Sequence, residues 1–159
     1  MNASVAVAII HHRAPDSAEE KLSLRHAKQH LYNYDVYAVT PSTVSLGKYP
    51  RIAFDDRYFS NLANNNLLRL LPDFYRRFDR YEYLLIYELD SLVFSDKLDQ
   101  HCTGEFDYIG APWVRYQDGL PVGFVGVGNS GFSLRRVEAC MRVLTSRLRN
   151  MAPIEYWRK

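Results

Sequence analysis

The chain reads as an α/β protein, a mostly parallel sheet flanked by helices, and three observations predict it. Two continuous apolar runs, SVAVAII at Ser4–Ile10 and YLLIY at Tyr83–Tyr87, have the composition of strands buried on both faces. Helix signals separate the strand signals, beginning with the capping box Ser17-Ala-Glu-Glu20. Strands alternate with helices along the chain, with no internal repeat.

The elements follow in order. The first strand ends in His11-His12-Arg13, and a helix from the capping box runs to about Leu31. Val36–Thr40 is a second strand closed by Pro41, residues 41–50 are loop, and Arg51–Phe54 is a short third strand. Ser60 or Asn61 caps a helix through Leu62, Ala63, Leu67 and Leu68, and Pro72 opens another at DFYRRF. Tyr83–Tyr87 is the central strand, followed by Glu88-Leu89-Asp90. Ser95 or Asp96 caps a short helix to about Cys102, and Tyr108–Gly110 is a short strand. Residues 115–125 form a Gly- and Pro-containing loop. Phe132-Ser-Leu leads into a helix whose apolar face is Val137, Met141, Leu144 and Leu148.

Composition narrows the class. The 159 residues fit one domain, 1–159, and at 47% hydrophobic and 24% charged they are globular. A net charge of +2 argues against a dedicated nucleic-acid binder. No apolar run approaches the roughly 20 residues of a membrane span, and MNASVAVAIIHHR lacks the basic start of a signal peptide. Cys102 and Cys140 sit in no metal or redox spacing, which suits free thiols in a reducing cytoplasm. Twelve tyrosines suit either sugar rings or the core.

In a parallel sheet, ligands bind at the carboxyl ends of the strands, where His11-His12-Arg13 and Glu88-Leu89-Asp90 both fall. Glu88 and Asp90 interrupt the most hydrophobic segment of the chain. In an extended segment their side chains face one side, and two close carboxylates call for a cation or a shared proton. A hard divalent metal with positions left for phosphate answers this, with Asp90 and Glu88 as the catalytic pair. The structural alternative is that Asp90 sits in a turn and Glu88 pairs with an arginine.

Other candidates carry two readings each. His11, His12 and Arg13 recognise a nucleotide, or form a solvated loop. Residues 127–135, VGNSGFSLR, bring small residues close to a ligand with Ser133 capping the next helix, or make a glycine-rich turn between two strands. Residues 126–131 match G-x-G-x-x-G in letters, but no following strand and ribose-binding acid fit behind them. Asn64, Asn65 and Asn66 bind ligand or serve as cap and turn residues. Trp113 stacks on a sugar or packs, and Asp107 and Tyr108 belong to the site or to a sheet edge.

The run YEYLLIYELDSLVFSDKLDQHC…FDYIGAPWV…VGNSGFSLRRV, with VAVAII, LSLRHAKQHL and FDDRYFSNLANNNLLRLLPDFYRRF upstream, resembles a bacterial glycosyltransferase-like family. That family was long catalogued as a domain of unknown function and has a GT-A type, Rossmann-like nucleotide-sugar core. The resemblance implies that Glu88-Leu89-Asp90 stands for the Asp-x-Asp motif, with Asp90 the ligand of Mn2+ or Mg2+. It implies donor contacts from Asn66, Asn129, Ser130 and Gly131; Trp113, if it stacks on a sugar, is expected on the acceptor side. It also implies a truncated C-terminus, since family members usually continue beyond the last helix. The later acidic base has no visible counterpart there except Glu138 or Glu155.

Two functions remain. The first is a metal-dependent glycosyltransferase, or its donor-binding part, moving a sugar from a nucleotide diphosphate to a hydroxyl of a carbohydrate or other acceptor. The second is a catalytically incomplete sugar-nucleotide-binding or interaction module. A Mg2+-dependent phosphohydrolase lacks a nucleophilic Asp signature here. An acid facing Asp90 across the cleft distinguishes transferase from module. Exposed apolar surface at the incomplete end predicts self-association.

Overall fold

The computed structural model of the chain describes residues 4–146. In chain order these form β1 (Val5–Ile10), α1 (Ala18–His30), β2 (Asp35–Pro41), β3 (Arg51–Phe54), α2 (Leu62–Leu68), α3 (Pro72–Arg76) and β4 (Tyr83–Tyr87). There follow β5 (Tyr108–Gly110), β6 (Pro112–Gln117), β7 (Leu120–Val127), β8 (Phe132–Arg136) and α4 (Val137–Thr145). Short 3-10 turns cover Asp56–Phe59 and Leu98–His101.

The main sheet has the order β3-β2-β1-β4-β8-β5. β3, β2, β1 and β4 are parallel, while β8 runs antiparallel between β4 and β5. The class is the expected one, α/β with a mainly parallel sheet flanked by helices. The period-two pleat explains why β1 is apolar at every position. Ala6, Ala8 and Ile10 face one core with Phe74, Phe78, Leu84 and Ile86. Val7 and Ile9 face the other, with Ala27, Leu31 and Leu85. Tyr75, Tyr83 and Tyr87 are fully buried, so much of the tyrosine content is core.

Local chemistry sets the helix ends. Ser17 Oγ accepts from the Glu20 amide at 3.1 Å, and the Glu20 carboxylate accepts from the Ser17 amide at 3.4 Å, the reciprocal capping box. Asn61 caps α2 by accepting from the Asn64 amide at 2.9 Å, and Pro72 opens α3. Of the expected α2 face only Leu68 is buried, while Leu62 and Leu67 are exposed. In α4, Val137 and Leu144 are buried and Met141 packs against them. Leu148 and Glu155 lie outside the described residues.

Three expectations are corrected. Residues 115–125 are not loop but most of the β6–β7 hairpin. Asp118 and Gly119 turn it with φ of 52° and 79°, the pair of left-handed residues that a tight two-residue turn needs. Phe132-Ser-Leu opens the strand β8, as the reading of a glycine-rich turn between two strands has it, and its pairing with β4 buries Ser133 in the sheet, where it caps no helix. The cap of α4 is therefore Arg136, and GNSG sits at no helix N-terminus. The helix expected before Cys102 is only the 3-10 turn Leu98–His101, without a side-chain cap. Cys102 is buried and Cys140 half-buried; both are free thiols, and burial pushes Cys102 up to about 11. No helix among the described residues is long and apolar enough to cross a membrane.

Candidate functional site

The chain passes from β1 to β2 on one side and reaches β4 on the other. The strand order therefore reverses at β1, and a crevice opens at the carboxyl ends of β1 and β4. A cleft of about 530 Å³ occupies that position. β1 contributes His11 and His12 to it, the start of α1 contributes Glu19 and Glu20, and the end of β4 contributes Glu88 and Asp90. Asn61 and Asn65 of the α2 start close the remaining wall.

The three residues after β1 part company. The His11 amide donates to Val39 O at 3.1 Å, which continues the sheet and keeps the side chain buried. Its Nε2 lies 3.6 Å from Glu20 and has no hydrogen-bond partner among the described residues. Burial lowers the His11 pKa, which leaves a neutral ring with an unanswered polar atom at the cleft wall. His12 is exposed at the cleft, its ring 5.2 Å from that of His11. Arg13 pairs with Asp16 at 2.6 Å and Glu20 at 2.8 Å. It braces the start of α1 and is not part of the cleft lining.

The strand β4 ends at Tyr87, and a turn places the two carboxylates. The Ser91 amide donates to Glu88 O at 3.0 Å, so Asp90 sits in a turn. Leu89 is buried beneath it. Asp90 is exposed in the cleft and forms no ion pair with a described residue; its one hydrogen bond among the described residues is from Ser91 Oγ at 3.4 Å. Glu88 differs. Its carboxylate contacts the guanidinium of Arg69, which is 3% exposed. The structural alternative from the sequence, a turn at Asp90 and an arginine on Glu88, is the arrangement observed. Both acids nonetheless line the same cleft.

Arg69 follows α2 and was not singled out by the sequence argument. Asn66 serves it, its Oδ1 accepting from Arg69 Nη1 at 3.1 Å, and Asn66 is absent from the cleft lining. Burial and the nearby charge of Arg135 pull Arg69 down to about 10, still a cation at neutral pH. Arg135, on β8, is 9% exposed and spends its donors on Tyr75 Oη at 2.7 Å, Ser133 Oγ at 3.0 Å and Ser130 O at 3.5 Å.

The GNSG segment links β7 to β8 as a turn. Asn129 Oδ1 accepts from the Gly131 amide at 2.9 Å, and Asn129 O accepts from Tyr108 Oη at 2.6 Å. Gly131 O accepts from the Glu88 amide at 2.8 Å, which stitches the turn to the end of β4. A Cβ on Gly131 would lie 2.4 Å from Glu88 Oε2, so only glycine leaves that carboxyl in place. Ser130 supports Arg135 through its carbonyl. Trp113, on β6, is 55% exposed and packs over Gly128, apart from the cleft lining. Asp107 pairs with Arg136 and Arg142 at the sheet edge.

The sequence argument also passed over Glu19, which it used only as a letter in the capping box. Glu19 is exposed on the α1 wall of the cleft, and hydrogen bonds from its own amide and Ser17 lower its pKa. The signal for Arg69 was present, since it interrupts Leu67-Leu68-Arg69-Leu70-Leu71 as Glu88 interrupts β4.

Among the described residues, no three His, Cys, Asp or Glu side chains converge as a metal cage. The donor chemistry fits a hard divalent cation held by one or two carboxylates and completed by a ligand's phosphates, the usual arrangement for Mg2+. Asp90, which forms no ion pair with a described residue, would be the carboxylate to meet such a cation.

Residues 48–158 match the family model described as "Protein of unknown function (DUF5672)". No curated protein matches the chain.

Proposed function

Since the chain belongs to this family of unknown function, DUF5672, we propose from its site that it is a glycosyltransferase of GT-A type, or the donor-binding part of one. The observation that carries this reading is the convergence of His11 and His12 with Asp90 and Glu88 in one cleft at the β1–β4 switch point. That is where an open α/β sheet takes a nucleotide, and the walls offer groups for each part of a sugar nucleotide.

His11 Nε2, buried with no hydrogen-bond partner among the described residues, supplies a hydrogen bond to the base or ribose. His12 borders the same wall, and Asn61 and Asn65 offer amides opposite. Asp90 would hold Mn2+ or Mg2+ together with the diphosphate. When bound, that cation neutralises charge on the leaving diphosphate, an effect worth several kcal/mol.

Glu19 supports transfer over mere binding, because it is a further acid on the lining of the cleft that Asp90 also lines. In an inverting course the acceptor oxygen bonds to the anomeric carbon as the bond to the diphosphate oxygen breaks. The diphosphate leaves with the electron pair, and Glu19 takes the hydroxyl proton. Trp113 stands outside this cleft and is proposed only as an acceptor-side surface.

The test is a thermal-shift panel of nucleotide sugars with and without Mn2+. A ligand at one hundred times its Kd adds about 2.7 kcal/mol to the native state. The proposal expects at least one nucleotide sugar to raise Tm more with Mn2+ than without. A flat panel under both conditions contradicts it.

A further inference from the structure

Two guanidiniums are buried behind the cleft, and one carboxylate touches them. Arg69 is 3% exposed and Arg135 9%. Arg135 forms no ion pair with a described residue and lies close enough to repel Arg69. Arg69 has Glu88 as its carboxylate partner, and its Nε has no acceptor among the described residues. Buried cations are retained with counter-ions, because an uncompensated charge in a low dielectric is strongly destabilising. Here two cations have one carboxylate in contact, and the charge of the exposed Asp90 also acts on Arg69 from the cleft. Glu88, in turn, is 27% exposed, lines the cleft, and stands between the cleft and Arg69.

We infer that Arg69 is an anion site which Glu88 occupies until a phosphate of the donor's diphosphate takes its place. The exchange is balanced in charge, since one anion leaves the guanidinium as another arrives. A phosphate oxygen presents the same acceptor geometry as the carboxylate, and arginine binds both through paired donors. Asn66 holds Nη1 in position while the exchange occurs. The displaced Glu88 then stands as a second free acid two residues from Asp90, so the acidic pair becomes available as the anion binds. This explains why Glu88 is engaged by an arginine in a segment that otherwise has the form of a cation site.

The inference rests on the donor-binding reading, and the two fail separately. Its signature is opposite in sign to that of an ordinary binding residue. Glu88→Gln removes a competing anion, so it should strengthen binding of inorganic pyrophosphate in the presence of a chelator. The expected gain is about tenfold, the scale of one charge-assisted contact. Arg69→Gln/Glu88→Gln, which removes both charges and avoids an orphaned cation, should lose that gain. Calorimetric titration of pyrophosphate into the parent and the two variants reads both effects, and pyrophosphate-dependent Tm serves if Glu88→Gln is too unstable to concentrate.

Tighter metal-free binding by Glu88→Gln, reversed in the double variant, supports the exchange. Equal or weaker binding by Glu88→Gln, or an unreversed gain, overturns it. In that case the thermal-shift response of the parent to nucleotide sugars with Mn2+ still decides the donor-binding reading by itself.

Discussion

Removing either partner of the Arg69–Glu88 pair should give unequal losses of stability. Glu88→Gln leaves Arg69 a cation, 3% exposed, beside a second buried guanidinium, with a neutral amide oxygen where the carboxylate was and Asn66 as the other acceptor. Stranding a buried charge in this way costs about 3–5 kcal/mol. Arg69→Met leaves Glu88 instead, and Glu88 is 27% exposed on a cleft wall where water can solvate it. The change also removes repulsion from Arg135, and methionine fills much of the arginine stem's volume. Its cost should be about 1 kcal/mol or less. Urea unfolding of the three proteins measures this, provided the m-values agree. Pyrophosphate should recover part of the loss in Glu88→Gln, since it binds the stranded guanidinium in the native state. A larger loss for Arg69→Met than for Glu88→Gln would refute the reasoning, because the pair would then serve the carboxylate rather than the cation.

Other predictions concern the same cleft. Asp90→Asn should remove Mn2+-dependent nucleotide binding in calorimetry while changing stability by less than about 0.5 kcal/mol, since Asp90 is exposed without an ion pair among the described residues. Gly131→Ala places a Cβ 2.4 Å from Glu88 Oε2, so the flexible carboxyl moves off Arg69, and metal-free pyrophosphate should bind more tightly than to the parent. His11 has a folded-state pKa below its ordinary 6.5 because of burial, so the unfolded chain takes up a proton first. Stability is full above pH 6.5 and falls as pH drops through the folded-state value. His11→Gln should flatten that part of the pH profile measured by thermal unfolding.

The parallel strands were legible because each is short, apolar and bounded by punctuation. β3, β4 and β5 have the ends expected from the sequence, and β2 is one residue longer at each end. The capping box located α1 because Ser17 and Glu20 satisfy each other without tertiary help. The β6–β7 hairpin was missed although Asp118-Gly119 is a hairpin turn signal, because prolines and glycines in the flanks resemble loop composition. β8 was read only as the alternative, a glycine-rich turn between two strands, because its identity as a strand comes from pairing on β4 and β5, which no local pattern encodes. The convergence of His11 with Asp90 followed from strand ends in a parallel sheet. Which acid is free and which is paired did not, since that depends on Arg69, far away in sequence. Arg13 and Trp113 show the same limit: their residue types suit ligands, but an acid at the α1 start claims one and Gly128 packs against the other.

The most direct test is a crystal structure of the chain with Mn2+ and the nucleotide sugar that raises Tm most. The account predicts the nucleotide in the cleft bounded by His11, His12 and Asp90, with its diphosphate beside Asp90 and Glu88 moved off Arg69. A nucleotide elsewhere, for instance in the apolar cavity of about 450 Å³ near Leu92, Phe94 and Ile109, would contradict the assignment of the site.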